Sequence, residues 1–402
     1  MLSAYRHLFA TPGAIGFSAA GFVARIPVSM TGIGIVTMIA VTRGSYALAG
    51  AAAAALALAG GVFGPVVARW IDRHGQRRVA LPAAAAAILA MIAVIVCNRT
   101  NAPSWALLAA AAVCGVAPNV GAMVRTRWAA ACRDQPGQLH IAYSLEAVLD
   151  ELCFVVGPIL SITLATVVFP EAGVLLSTLL LGAGVVALTA QRSTEPAIST
   201  GTPAGGGAVF LVTGLPVIII SMLATGVIFG SLEVVTLAFG EDRGNTVAAS
   251  WALAAFAVGS AISGIVFGAR RLTSALSTRF VLCLALLELT MLPLLLVGDM
   301  LTVTLALLLA GTAVAPTLAT TSALIQSTVP EQRLNEGLTW MTTGLTAGVA
   351  AGSSVSGMVV DWHGPSTGYV VPLIAGAAGL LIAVLGLSQL RAKRPAMTVS
   401  TP

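Results

Sequence analysis

Glu146, Asp150 and Glu151 lie in the segment AYSLEAVLDELCFVVGPIL, Ala142 to Leu160, whose other residues are all uncharged. In a helix, Glu146 and Asp150 are four apart and share one face, whereas Glu151 is turned about 100° from Asp150. Carboxylates held together raise the proton affinity of at least one of them, and an arginine beside them lowers it again. Arg25 sits in the middle of an earlier apolar stretch, about 13 residues or about 20 Å in, while Asp150 lies about nine residues or about 14 Å into its own. Reversible proton capture is the chemistry this set can do, and a static Arg25–Asp150 ion pair fixing two helices is the structural alternative. Glu233, flanked by Gly230, Ser231 and Leu232, is a further carboxylate in apolar surroundings and a candidate cation or proton site. Each such charge costs roughly 2.5–3.5 kcal/mol in hydrocarbon even on the lenient insertion scale, so each needs a partner or a task.

Other chemistries find little support. No phosphate-binding glycine loop with a lysine is present, the chain has a single lysine, and His7, His74, His140 and His363 are scattered without ligand spacing. Cys97, Cys114, Cys132, Cys153 and Cys283 are isolated and read as small apolar residues. These features argue against an enzyme, a resident metal or cofactor, and an ATP-driven pump. The net charge of +5 shows no basic and aromatic clustering of a nucleic-acid surface.

The elements that must position the carboxylates are membrane helices. Hydrophobic residues make up 57% of the chain and charged residues 9%, against about 25% charged in soluble domains. Runs of the length needed to cross a bilayer as a helix recur throughout, and the alternating pattern of a barrel strand is missing. Twelve spans are predicted, at 12–41, 46–68, 78–97, 104–125, 141–169, 172–190, 209–239, 246–269, 279–297, 300–326, 337–360 and 367–390. With the N-terminus inside, sixteen of the 20 Lys and Arg residues fall on the cytoplasmic side, three (Arg43, Arg99 and Arg243) on the other, and Arg25 within a span. That bias places both termini in the cytoplasm of a multi-pass inner (plasma) membrane protein. The first span is too long, and too charged at its centre, for a cleaved signal peptide.

The chain also reads as two related halves. Ala142–Leu160 aligns with Gly337–Val355, and Gly60–Arg78 aligns loosely with Ser260–Thr278, at offsets near 195 and 200 residues. The predicted division is a six-helix half at 1–190, a flexible cytoplasmic linker at 191–208 and a second six-helix half at 209–402.

After the second span the chain reads Asp72-Arg73-His74-Gly75-Gln76-Arg77-Arg78. In its twelve-span setting this loop resembles the signature loop of the major facilitator superfamily, Gly-x-x-x-Asp-Arg-x-Gly-Arg-Arg/Lys. Ala68 replaces the first glycine and Gln76 the first closing basic residue. The resemblance covers the whole chain and implies an all-α membrane fold of twelve helices in two pseudo-symmetric halves that rock about a midplane site. It also implies that Asp72, Arg73, Gly75, Arg77 and Arg78 form a gating loop. There, Asp72 pairs with neighbouring arginines, or with the positive end of a helix from the other half, in one conformation only. The second-half loop has Arg270 and Arg271 but no acid, so a gate there is expected to be weaker. Gly157-Pro158 resembles part of the antiporter motif of exporters in the superfamily, without its other glycines.

Asn119 beside Pro118, and Pro316 with Thr317, Thr320 and Thr321, are expected at bends that line a cavity, with Trp340 and Arg125 as further lining candidates. Arg125 and Arg127, near the foot of the fourth span, could hold Glu151 or Glu146 or an anionic substrate, and the reading preferred is that they are headgroup anchors. Glu288 has no assigned task.

Together these readings predict a secondary active transporter, acting as a monomer on a small-molecule substrate in the lipid bilayer and coupled to protons, with export by antiport first. A proton-coupled nutrient importer and a non-transporting sensor with the same fold are the alternatives.

Overall fold

The computed structural model describes residues 2–198, 209, 212–270, 272 and 274–391. The greater part of the predicted linker, 199–208, lies outside the described residues, as do Arg271 and the last eleven residues. The helices are α1 (Leu2–Phe9), α2 (Ala14–Arg43), α3 (Tyr46–His74), α4 (Gln76–Arg99), α5 (Ser104–Cys114), α6 (Val120–Ala131), α7 (Pro136–Val167), α8 (Ala172–Ala190) and α9 (Leu215–Asp242). They continue with α10 (Thr246–Ala269), α11 (Leu276–Met291), α12 (Met300–Gly311), α13 (Val314–Thr328), α14 (Leu334–His363), α15 (Pro365–Gly368), α16 (Val370–Leu385) and α17 (Leu387–Arg391).

Among the described residues, eleven stretches are long and apolar enough to cross a membrane, and the short apolar α5 marks the place of a twelfth. The exterior is apolar, as lipid contact requires: Val167 is 76% exposed and Leu296 87%. Trp105, Trp251 and Trp362 are also exposed, all near the ends of spans remote from the arginine-rich loops, the usual station of interfacial indoles.

Three predicted spans are not single helices. The fourth is cut between α5 and α6, the tenth between α12 and α13, and the twelfth is divided into α15, α16 and α17. The first two cuts have one cause. Gly115 presses on α3, where a Cβ would lie 2.5 Å from the Gly60 nitrogen, and Gly311 presses on α10, where a Cβ would lie 3.1 Å from the Ser260 nitrogen. Past each glycine the backbone tightens to i→i−3 bonds, such as Val116 to Val113 and Ala313 to Ala310. Pro118 then interrupts the fourth span further, because it has no N–H to give.

These matched breaks are one trace of the internal repeat, and a sharper one lies at the opposite ends of the spans. Arg43-Gly44-Ser45 and Arg243-Gly244-Asn245 stand 200 residues apart. Gly44 and Gly244 have φ of 62° and 64°, a left-handed turn that glycine adopts without steric cost. Ser45 and Asn245 cap the next helix by accepting from the N–H of Leu48 and Ala248. Arg43 donates to the carbonyls of Cys97 and Ala102, and Arg243 to the carbonyl of Gly298. Each arginine therefore staples the first helix of its half to the turn between the third and fourth.

The two sets of helices meet along α3 with α14, and along α7 with α10 and α13. The hydrogen bonds and ion pairs that join them cluster toward one end, the end that carries the arginine-rich loops, called the basic end below.

Candidate functional site

α2, α6 and α7 bring Arg25, Arg125, Glu146 and Asp150 into one buried cluster. Arg25 Nη1 donates to Asp150 Oδ1 at 2.8 Å, and its Nη2 lies 2.6 Å from Glu146 Oε2. Arg125 Nη2 donates to Asp150 Oδ2 at 2.5 Å. Glu146 is fully buried and also accepts from Trp128 Nε1 at 2.8 Å and from Ser18 Oγ at 3.4 Å. The Trp128 ring packs edge-on against Phe17, with centroids 4.7 Å apart.

Two arginines and two carboxylates balance in formal charge, which offsets much of the cost of placing them in a low-dielectric interior. Burial is uneven, however. Both arginines and Glu146 have side chains at most 4% exposed, whereas the Asp150 side chain is 23% exposed, so Asp150 is the member of the cluster that the surroundings reach. Chemically, the cluster can hold a carboxylate between two guanidinium groups and release one of them when that carboxylate gains a proton or a competing ligand.

The sequence reading of Arg125 and Arg127 as headgroup anchors is corrected. They are 2% and 1% exposed, because the break in the fourth span sets α6 as a separate, nearly fully buried helix. Arg127 donates to Gln76 Oε1 at 2.7 Å, to the carbonyl of Gln191 and to Thr194 Oγ1. The Gln76 amide in turn donates to the carbonyl of Met123 and to Thr126 Oγ1. This explains the departure of Gln76 from the signature loop: a basic residue here would confront Arg127, while an amide supplies it with an acceptor. The described start of the linker is docked by the same contacts, and Glu195 accepts from the N–H of Arg77 at the start of α4.

Of the expected gating loop, Asp72 makes the contact between the halves. Its Oδ1 and Oδ2 accept from the backbone N–H groups of Asn335 and Glu336, in the first turn of α14, at 3.2 and 2.8 Å. Arg69 completes the joint by donating to Glu336 at 2.6 Å, Asn335 donates to the carbonyl of Ala68, and Arg133 pairs with Glu331 across the seam. Arg73, Arg77 and Arg78 are exposed, and Gly75 turns the chain with a φ of 90°. In the last turn of α10, Phe267 offers its carbonyl to His140 Nε2 at 2.9 Å.

The remaining candidates are dispersed. Glu151 is partly exposed and has no hydrogen-bond partner among the described residues; on α7 it follows the side that meets α10, where Val148 faces Gly264. Glu233 is exposed on α9, outside the cluster. Gly157, ahead of Pro158, lets α7 approach α2, where a Cβ would lie 3.1 Å from the Ser29 Cβ. Asn119 is half-buried at the start of α6 and donates to Thr342 Oγ1 of α14 at 2.6 Å; Trp340 lies on the same helix, half-buried. Sequence reasoning missed Glu336, Ser18, Trp128 and Thr342. Only Glu336, an acid at the start of an apolar span, carried a signal that could have exposed it.

A broken-helix bundle in two repeated halves, clamped at one end and holding charges at membrane depth, is the architecture of a membrane transporter. The sequence model of the Major Facilitator Superfamily matches residues 17–270 and 215–400, and the chain belongs to that superfamily. No curated protein gives a significant sequence match. Among solved structures, a bacterial homologue of the iron transporter ferroportin in an outward-facing state is similar with a TM-score of 0.76 at 17% identity, over 93% of this chain and 99% of that one. The human organic anion transporter MFSD10 gives 0.71 at 12% identity over 94% and 98%. The fucose:proton symporter FucP of E. coli gives 0.68 at 12% identity over 92% and 98%. At these identities the likeness establishes the fold.

Proposed function

We propose that the protein exports a small organic compound in exchange for protons, by alternating access, with Asp150 as the coupling carboxylate. The observation that carries this reading is the position of Asp150, partly exposed and held between Arg25 and Arg125 at membrane depth. Protonating it releases Arg125, while Arg25 keeps its pairing with Glu146, and this redistributes charge within the cluster; a proton carried through the protein must do work of this kind.

The Lys and Arg bias makes the basic end cytoplasmic, with both termini inside the plasma membrane. With that end clamped by Asp72 and Arg69, the arrangement is one closed on the cytoplasmic side. A homologue of ferroportin and FucP, both similar in fold, are described in outward states. Opening inward requires Asp72 to give up the α14 N-terminus, where an N-cap contributes about 0.5–2 kcal/mol, a cost that alternating states can trade. The Gly157-Pro158 pair favours antiport by its resemblance to exporters. The cluster is complete within one chain, which supports the reading of a monomer as the working unit.

The test is directional. Purified protein in proteoliposomes is offered a pool of sugars, amino acids and lipophilic cations with the lumen acid or alkaline. Accumulation driven by an acid lumen is the expected result; accumulation only when the outside is acid would make the protein a symporter and overturn export.

A further inference from the structure

α6 is separated from α5 by the five residues Gly115–Asn119 and forms a short helix of its own. The side chain of its N-cap residue, Asn119, makes two hydrogen bonds. Asn119 Oδ1 accepts from the N–H of Ala122, capping α6 at 3.0 Å, which fixes the amide so that its Nδ2 donates to Thr342 Oγ1 at 2.6 Å. Thr342 passes its own hydrogen to the carbonyl of Thr339. The cap of the helix that carries Arg125 is thereby tied to the opposite half of the molecule. Arg25, Arg125, Glu146 and Asp150 all lie on the first set of helices, so rocking of the halves does not by itself pull them apart. A link to α14 is required, and Asn119–Thr342 is such a link.

A second observation concerns Tyr143. It lies seven residues before Asp150 on the same face of α7, is fully buried, and its hydroxyl has no hydrogen-bond partner among the described residues. It is within electrostatic reach of Arg125, whose Nε is also buried without a partner. Buried polar atoms left unsatisfied cost about 1–3 kcal/mol, so two of them on neighbouring helices α7 and α6 call for a state in which they are used.

We propose that α6 is a lever: Asn119 and Thr342 transmit closure of the basic end to Arg125, and the Tyr143 hydroxyl receives Arg125 when Asp150 is protonated and the halves part. Asn119, Thr342 and Tyr143 are positioning residues in this scheme, which rests on Asp150 as the coupling carboxylate.

The ionisable groups around Asp150 are few. Arg25 faces it from α2 and Arg125 from α6, Glu146, Glu151 and Cys153 lie on its own helix, and Cys132 ends α6. α8, α10 and α13 carry no charged residue, and Arg6 and His7 of α1 are exposed at the basic surface. Tyr143 also lies on α7, and at the basic end Asp72, Glu331, Glu336 and His140 join the halves, so the opening that belongs to Asp150 is the part of the pH response that Asp150→Asn removes.

The test needs no substrate. Spin labels on non-canonical amino acids at Arg73 and Gln332, in nanodiscs, report the width of the basic end by pulsed dipolar spectroscopy as pH is lowered. Wild type should open as pH falls, and the midpoint compared below is that of the component absent in Asp150→Asn. Thr342→Val removes a bond of the closed state and should raise the midpoint by about half to one pH unit. Tyr143→Phe removes a partner available only in the open state and should lower it. Opposite signs support the lever, because a tie that merely stabilises closure gives no shift for Tyr143→Phe. An unchanged midpoint in Tyr143→Phe, or a downward shift in Thr342→Val, overturns it. If Asp150→Asn still opens with the wild-type midpoint, the assignment of Asp150 itself falls; loss of pH dependence in Asp150→Asn with Tyr143→Phe unchanged rejects the lever alone.

Discussion

Asp72 Oδ2 accepts a hydrogen bond from the backbone N–H of Glu336 at 2.8 Å, so a carboxylate on one half of the molecule caps a helix that belongs to the other. The bond joins a side-chain charge to the positive end of α14, and it exists only while the halves are together at this end. Asp72→Asn keeps the shape and removes the charge. It should weaken the closed state by about 0.5–2 kcal/mol, equivalent to a several-fold gain in the open population. The check is the labelling rate of a cysteine at Thr339, which is 2% exposed in the closed arrangement, in a background lacking the native cysteines. Unchanged labelling would remove Asp72 from the gate.

Gln76→Arg restores the residue usual in the signature loop and should nevertheless be harmful. It sets a second cation against Arg127, whose Nε now donates to Gln76 Oε1 at 2.7 Å in a buried site. An uncompensated buried charge costs about 3–5 kcal/mol, so a clear fall in the thermal midpoint is expected, with recovery when Arg127→Gln is added. A thermal scan of both variants in detergent decides it.

The twin staples offer a quantitative comparison. Arg43 is half-buried and donates to two carbonyls, while Arg243 is exposed, donates to one carbonyl and lies over the Phe239 ring. Arg43→Ala should cost about 1.5–3 kcal/mol and Arg243→Ala less. Sites so far apart should add in the double variant. Thermal midpoints of the three proteins test both the ranking and the sum.

Much of this was legible in advance, and the limits are instructive. Hydropathy located the spans because lipid imposes apolar composition on every one of them, and helical rise alone put Arg25 and Asp150 at similar depth. A bend at Pro118 was expected and lies within the break of the fourth span, but the parts played by Gly115 and Gly311 escaped, because hydropathy registers composition and is blind to a lost i→i−4 bond. Arg125 and Arg127 were misread because the rule that keeps basic residues inside cannot distinguish a guanidinium at the headgroups from one turned inward onto Asp150 or Gln76. Arg43-Gly44 and Arg243-Gly244 went unremarked in the sequence, and their task depends on carbonyls 54 to 59 residues away.

At the end of the spans remote from the basic loops, Arg99 Nε donates to Glu171 Oε1 at 2.9 Å, and this bond holds the Glu171 carboxyl below the usual carboxylate range. A depressed carboxyl contributes stability that is complete above its unfolded value, about pH 4.3, and is lost as pH falls through the lower folded value. Wild type should therefore lose part of its thermal stability on acidification below about pH 4, and Glu171→Gln should lose less over the same interval. Parallel slopes for the two proteins would contradict the assignment.

The most direct test of the account is gradient-driven flux in proteoliposomes, using the compound pool with an acid lumen, for wild type and Asp150→Asn side by side. The account predicts accumulation in wild type that collapses in Asp150→Asn, while exchange of the same compound without a pH gradient survives. Accumulation undiminished in Asp150→Asn would contradict it and move the search for the coupling carboxylate to Glu151 and Glu233.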